Sequence, residues 1–89
     1  MNKVIITVVG KDTVGIIARV CTYLAENKIN ILDISQTIVS GYFNMMMITD
    51  MENASVDFER IVDELNTLGD NIGVKIKAQK EEIFESMHR

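Results

Sequence analysis

The sequence has no proline, one cysteine and one histidine, and these scarcities exclude several classes of protein. Because Cys21 has no second cysteine to pair with, the chain cannot form an internal disulfide and lacks the signature of an oxidising compartment. A nucleophilic pair would need His88 to reach Cys21, which falls within an apolar helical stripe with Ile17, Val20 and Leu24. We therefore expect no enzymatic activity, no catalytic residue, no cofactor and no metal site.

Long apolar runs are missing as well, since no stretch approaches the ~20 apolar residues that a membrane span needs. The N-terminus reads Met1-Asn2-Lys3 and continues into a short apolar segment that stops at Gly10, without the pattern of a cleavable signal. These features predict a cytoplasmic protein that does not contact a membrane.

Positive charge is scarce, which disfavours a nucleic acid partner. The formal net charge is −4, and the one group of lysines (Lys75, Lys77 and Lys80) is followed directly by Glu81 and Glu82. The first apolar segment also lacks the exposed aromatic side chains on which bases stack. We expect no nucleic acid partner.

What the chain does contain is a folding composition of modest length. It has 89 residues, of which 47% are hydrophobic and 25% charged, and this predicts a single domain over residues 1–89. A domain of this size buries only about 60–65% of the surface that its unfolded chain exposes. Self-association would therefore bury apolar surface that one copy leaves exposed.

Hydrophobic periodicity predicts four strands and three helices in the order β, α, β, β, α, β, α. Asp12 or Thr13 is the predicted N-cap of the first helix and Ser55 that of the second, which Gly69 should close. Ser40-Gly41 predicts a two-residue hairpin turn. The predicted strands cover residues 3–9, 30–39, 42–51 and 73–80, and the predicted helices cover 16–27, 58–68 and 81–89.

Right-handed crossovers fold this order into a ferredoxin-like α+β domain. Its four-stranded antiparallel sheet carries the two main helices on one face, with a short C-terminal helix docked by Ile83, Phe84 and Met87. The second and fourth strands are the predicted edges. Strict alternation in the second strand would place five residues on one face: Asn30, Leu32, Ile34, Gln36 and Ile38.

Four segments together resemble the ACT domain. They are Gly10-x-Asp12-x-x-Gly15-Ile16, Ile29-Asn30-Ile31, Asp33-Ile34-Ser35-Gln36 and the closing run IFESMHR. Within that family, the chain is similar to the small stand-alone proteins related to the glycine cleavage system transcriptional repressor. The resemblance covers essentially the whole chain, and it implies a regulatory domain that responds to a small molecule.

The resemblance also implies a place for the ligand. ACT domains typically pair edge to edge and bind amino acids or similar small molecules at the interface, between the loop after the first strand and the start of the second strand. Carried onto this sequence, the ligand-binding residues are Asp12 and Gly15 in the loop, Asn30 and Ile31 on the strand, and Gln36 as an addition. The implied partners are a second copy of the chain, an amino acid, and a regulatory protein.

Each of these signals also has a purely structural explanation. Gly15 could serve close helix packing, and Asp12 could cap the helix without touching a ligand. Gly10 and Gly15 have phosphate-loop spacing, but Ile16 and Ile17 stand where that motif needs a lysine and a hydroxyl residue. The run of three methionines from Met45 has thioethers suited to copper(I), although methionine more often fills a core.

Two functions follow from the sequence. The first is a homodimeric regulatory domain that binds a small molecule, an amino acid by resemblance, and acts through protein association. The alternative is a ligand-independent interaction module that modulates a transcription regulator.

Overall fold

The computed structural model describes residues 2–87 and shows, within them, four strands and three helices. Their order along the chain is the one that the periodicity predicts. The elements are β1 (Lys3–Lys11), α1 (Ile16–Glu26), β2 (Asn30–Val39), β3 (Tyr42–Asp50), α2 (Phe58–Ile72), β4 (Val74–Lys80) and α3 (Glu81–Met87).

The strands form one antiparallel sheet in the order β2-β3-β1-β4. This confirms the ferredoxin-like α+β fold, including the prediction that β2 and β4 are the two edges. Helices α1 and α2 pack on one side of the sheet, which we call the helix face. The other side is called the open face.

One hydrophobic core lies between the helix face and the two main helices. It is built by alternate strand residues and by helix residues one turn apart, because those spacings keep side chains on one side of each element. Met45 and Met47 lie in this core, whereas Met46 lies on the open face, as strand parity predicts. The fully buried members include Val4, Ile6, Val8, Val20, Leu24, Met47, Ile61 and Leu65.

The β2–β3 hairpin closes with the predicted two-residue turn. Ser40 and Gly41 both have positive φ, at 52° and 81°, and Val39 pairs with Tyr42 across the turn. Two consecutive positive φ values define the turn whose twist matches that of paired strands. The hairpin register is therefore fixed at this end.

The predicted N-cap of α1 is wrong. The cap is Gly15, with φ of 90°, and neither Asp12 nor Thr13 takes that position. The loop after β1 reaches the helix through a left-handed residue, which only glycine adopts without strain. Cys21, expected to be buried in the apolar stripe of α1, is only half-buried.

Both predicted ends of α2 are also corrected. Asp57, not Ser55, is the N-cap, and its carboxylate accepts a hydrogen bond of 2.9 Å from the backbone N–H of Arg60. The helix continues through Gly69 and ends at Gly73, which has φ of 93°.

Gly69 is needed for packing and does not end the helix. A Cβ atom at this position would lie 2.7 Å from the carbonyl oxygen of Val74, at the start of β4. Glycine therefore allows α2 to approach β4 closely, and the sequence alone does not distinguish this use of glycine from a helix stop.

A β-bulge at Leu32 overturns the predicted alternation at the start of β2. Ile31 pairs with Thr49 and Asp33 pairs with Ile48, so Leu32 is left without a partner in the ladder. As a result Ile31 packs against the core on the helix face, and Asn30 lies on the open face. Downstream of the bulge the helix face of β2 carries Ile34, Gln36 and Ile38, as predicted.

The open face is covered at one end by α3. Ile5 points to this face and yet is only 4% exposed. Lys3 neighbours Ile5 on the same face, and its Nζ lies 3.8 Å from Oε2 of Glu81 in α3. Helix α3 also contacts both β1 and β4. Of the residues expected to dock this helix, Phe84 is half-buried and Ile83 is exposed. The predicted contact of Met87 lies outside the described side chains.

Candidate ligand-binding site

The loop between β1 and α1 presents backbone donors to solvent. Gly15 has no side chain to accept from the first turn of α1, and the N–H of Arg19 is the first to donate within the helix, to the carbonyl of Gly15 at 3.0 Å. The N–H groups of residues 16–18 therefore lack an acceptor in the helix. Together with the positive end of the helix dipole, they favour an anion in front of the loop.

The start of this loop is anchored to the hairpin turn. The backbone N–H of Asp12 donates a hydrogen bond of 2.8 Å to the carbonyl of Gly41. This bond fixes the backbone at Asp12 beside the β2–β3 turn, while its carboxylate remains exposed. At the other end of the loop, no atom lies within 4 Å of the position that a Cβ of Gly15 would occupy. The loop therefore faces open space.

A cleft of about 270 Å³ lies between the loop, the first turn of α1 and the helix face of β2. It brings together three of the five residues that the resemblance implies, namely Asp12, Gly15 and Gln36. Sequence reasoning did not assign the other lining residues to a site. These are Thr13, Ile16, Ile17, Ala18, Ile38 and Phe43.

For two of these additional lining residues, the sequence contains a pattern that could have placed them at the cleft. Ile38 shares a strand face with Gln36, so alternation places it beside any ligand that Gln36 contacts. Ile17 was counted within the apolar stripe of α1, but it is 36% exposed and lies at the cleft. The cleft is thus largely apolar with one carboxylate, and none of its lining residues is basic.

Asn30 and Ile31 are not part of this cleft. They begin β2, whereas the cleft lies near its far end, and the ten residues of β2 span about 30 Å at the usual rise per residue. Asn30 also points to the open face and Ile31 into the core. Within one chain, the two sets of implied residues therefore cannot meet.

The edge strand beside the cleft is bare and apolar. On β2, Leu32, Ile34 and Ile38 are all more than 40% exposed. The opposite edge, β4, carries exposed Lys75 and Lys77 instead. Exposed lysines on an edge strand oppose pairing with another copy of that edge, whereas β2 carries a single charged residue, Asp33, so the β2 edge is the better suited to pairing.

A second polar cluster joins the two main helices. The hydroxyl of Tyr23 donates to Glu64 at 2.7 Å, and the Nε of Arg60 donates to the same carboxylate at 3.2 Å. Burial, helped by the bond to Glu64, raises the pKa of Tyr23 far above its ordinary value. The two donated bonds, that from Tyr23 first, lower the pKa of Glu64. Glu64 therefore ties α2 to α1 through its bond with Tyr23.

This cluster is suited to holding the helices together. A phenol with a raised pKa keeps its proton, and a carboxylate with a lowered pKa keeps its charge, so neither group is poised for proton transfer near neutral pH. In the part of the chain that the structure describes, no group of three or more His, Cys, Asp or Glu residues could hold a metal ion. No helix in that part is long and apolar enough to cross a membrane.

Comparison with known proteins agrees with this geometry. A UPF0237 protein of Bifidobacterium longum is 67% identical over 89 residues, which is all of this chain and 99% of the relative. The structure of an ACT domain protein from Streptococcus pneumoniae superposes with a TM-score of 0.82 at 44% identity and covers 94% of both chains.

A more distant structural neighbour shows the same fold alone. It is a candidate glycine cleavage system transcriptional repressor with 22% identity and a TM-score of 0.76, and the match covers 89% of this chain and 45% of that one. The family model of the ACT domain matches residues 2–79. The chain therefore belongs to the ACT domain family, whose members are regulatory, ligand-binding domains.

Proposed function

We propose that this protein is a cytoplasmic regulatory domain that binds an amino acid at the interface of a homodimer and acts by changing its association with another protein. One observation carries the proposal. The cleft that contains Asp12, Gly15 and Gln36 reaches the edge strand β2, so a second chain paired along β2 would lie directly beside it.

The proposed dimer forms by pairing of two β2 edges. Leu32, Ile34 and Ile38 lose their solvent exposure in such a pair, and their backbone neighbours gain partners in the ladder. Since lysines protect the β4 edge, pairing stops at two chains and yields a closed, two-fold dimer.

Antiparallel pairing about a two-fold axis would bring together the two sets of implied residues that one chain keeps apart. The start of one β2 then lies beside the end of the other, because the two strands run in opposite directions. The partner's Asn30 and Ile31 consequently approach the β1–α1 loop of the first chain, close to Gln36. The five implied residues become one site only in the dimer.

The chemistry of the cleft suits an amino acid. The carboxylate of the ligand binds the N–H groups of the first turn of α1, which the helix dipole favours. The ammonium group binds the carboxylate of Asp12. The amide of Gln36 both donates and accepts, so it can bind either end of the ligand. The partner's Asn30, which lies on the open face in the single chain, joins it by turning its side chain past the start of β2.

A thermal-shift screen of the purified protein against the twenty amino acids tests this function. Ligand at about a hundred times its dissociation constant adds about 2.7 kcal/mol to the free energy of unfolding. In a domain of this size that raises the melting temperature by roughly ten degrees or more. We expect such a rise with at least one amino acid, and a screen without any rise would contradict the proposal.

The bare β2 edge also supports a second candidate function. An exposed apolar edge strand can pair with a strand of a different protein, which would make the domain a ligand-independent module acting on a transcription regulator. This alternative predicts no saturable binding of any metabolite. The same screen therefore separates the two functions.

A further inference from the structure

The open face of the sheet is divided into two unlike halves. In the first, which we call the ridge half, α3 lies over β1 and β4 and buries Ile5. The second, which we call the bare half, exposes Val9, Tyr42 and Met46 by 45%, 62% and 41%. These side chains lie in alternate residue pairs of β1 and β3, which are successive pairs on the open face, so they form one patch.

The two halves also carry opposite charges. Asp33 and Asp50 point to the open face at the ridge end, where Glu81 of α3 lies as well. Lys11 and Lys75 point to the same face at the bare end, next to Tyr42 and Val9 in the sheet register. Lys3 also points to this face at the ridge end, where it pairs with Glu81, and Lys77 lies midway along the face. Acidic groups are therefore in excess at the ridge end, whereas the bare end carries Lys11 and Lys75.

We propose that the open face binds the open face of a second copy of this chain. The two-fold axis runs across the strands, near Met46, so that the ridge half of each copy lies on the bare half of the other. Ile83, which is 50% exposed on α3, then covers the partner's Val9 and Tyr42. In an isologous interface each such contact occurs twice.

The charge distribution favours a second copy of the chain as the binding partner, and it favours this orientation. With the axis across the strands, the acidic end of each copy meets the basic end of the other, and both sets of charges are matched at once. A face that carries both halves of a complementary pair is suited to a second copy of itself. A partner of one uniform charge would be repelled by one end of the face.

The face-to-face contact is separate from the proposed β2 edge. The apolar residues of the open-face contact lie on β1, β3 and α3, and among its charged residues only Asp33 belongs to β2. Both contacts can therefore form together, which gives an assembly of four chains with two kinds of interface. The inference does not depend on a ligand, and it stands or falls apart from the proposed amino acid site.

Light scattering at tens of micromolar protein tests the proposal. The wild-type mass should be about 40 kDa, four times the 10.0 kDa of one chain. Tyr42→Lys and Ile83→Lys, on the two halves of the face, should each reduce it to about 20 kDa by placing a charge in an apolar contact. Ala25→Lys, on the exposed side of α1, makes a matched charge change and should leave the mass unchanged.

A charge reversal tests the orientation. Lys75→Glu reverses one of the two charges at the basic end of the face and should also favour the smaller species, with a smaller effect in high salt. Lys28→Glu, an exposed lysine beyond the end of α1, is the control. Melting curves of every variant establish that each is folded. A wild-type mass of about 10 kDa, or a mass that neither face variant lowers, would overturn the proposal. A wild-type mass of about 20 kDa that both face variants halve would support the face contact and contradict the β2 pairing instead.

Discussion

Among single residues, Gly15 matters most for the proposed ligand site. Its φ of 90° turns the chain from the β1–α1 loop into α1, and the space in front of it is empty. A side chain there would be strained by the left-handed backbone and would also project into the cleft. The residue is therefore needed for the shape of the loop and for access to the N–H groups behind it.

Gly73 offers a matched control for that residue. It also has positive φ, at 93°, with nothing within 4 Å of a Cβ position, but it ends α2 and does not line the cleft. Gly15→Ala and Gly73→Ala should each lower the free energy of unfolding by about 1–2 kcal/mol. Only Gly15→Ala should weaken amino acid binding, measured by calorimetry. Equal affinities in the two variants would place the ligand elsewhere.

At the scale of elements, the periodicity of the sequence predicted the strands, the helices and the two edges. Those features depend on repeated apolar spacings, which the sequence displays directly. The bulge at Leu32 could not be predicted in the same way, because one extra residue in a strand leaves the local pattern almost unchanged. Gly69 was misread because a helix stop and a close approach to β4 both require glycine.

The residues of the candidate site, too, were predictable only in part from the sequence. Asp12, Gly15 and Gln36 were found through a motif resemblance and do lie together in one cleft. Ile17 was misassigned, because the spacing that marks the apolar stripe of α1 does not show where the sheet ends beneath it. The position of Asn30 at the other end of β2 depends on tertiary structure, which no local pattern reveals.

The contact between α1 and α2 leads to a prediction about pH. Burial raises the pKa of Tyr23 above its ordinary value of about 10, so the folded protein holds a proton that the unfolded chain releases above that pH. This contribution to stability is fully present below pH 10 and is lost as the pH rises further, because the unfolded state then binds fewer protons.

Denaturant unfolding at pH 8 and above pH 10, at one protein concentration, measures this effect. Phenylalanine has no proton to lose, so Tyr23→Phe should show a shallower loss of stability with rising pH than the wild type. The variant should be the less stable of the two near neutral pH, since Glu64 loses a hydrogen bond donor. Identical pH slopes would show that Tyr23 is not held protonated by the fold.

On the whole molecule, most of the exposed apolar residues lie on two surfaces with different proposed roles, while Val14 and Ile17 lie at the β1–α1 loop and the first turn of α1. We propose that the β2 edge completes the ligand site by pairing with a second β2, and that the open face joins such dimers through matched charges. In this proposal, only the β2 contact is needed for binding an amino acid.

The central claim is that one ligand site is built from two chains, and single variants prepare its test. Asp12→Ala removes the carboxylate from one wall, and Asn30→Ala removes an amide from the other. Each should weaken binding by roughly tenfold to a hundredfold, because part of a charged ligand is left unpaired when desolvated. Asn66→Ala, on the exposed side of α2, is the control for an asparagine that contacts no ligand.

Mixing the two variant proteins provides the most direct measurement. After the subunits exchange, a dimer with one chain of each kind has both substitutions in one site and none in the other. Calorimetric titration of an equal mixture should therefore recover wild-type affinity at about one site per four chains, because half of the dimers are mixed. A mixture that binds no better than either variant alone, although exchange has occurred, would show that the site is not shared between subunits.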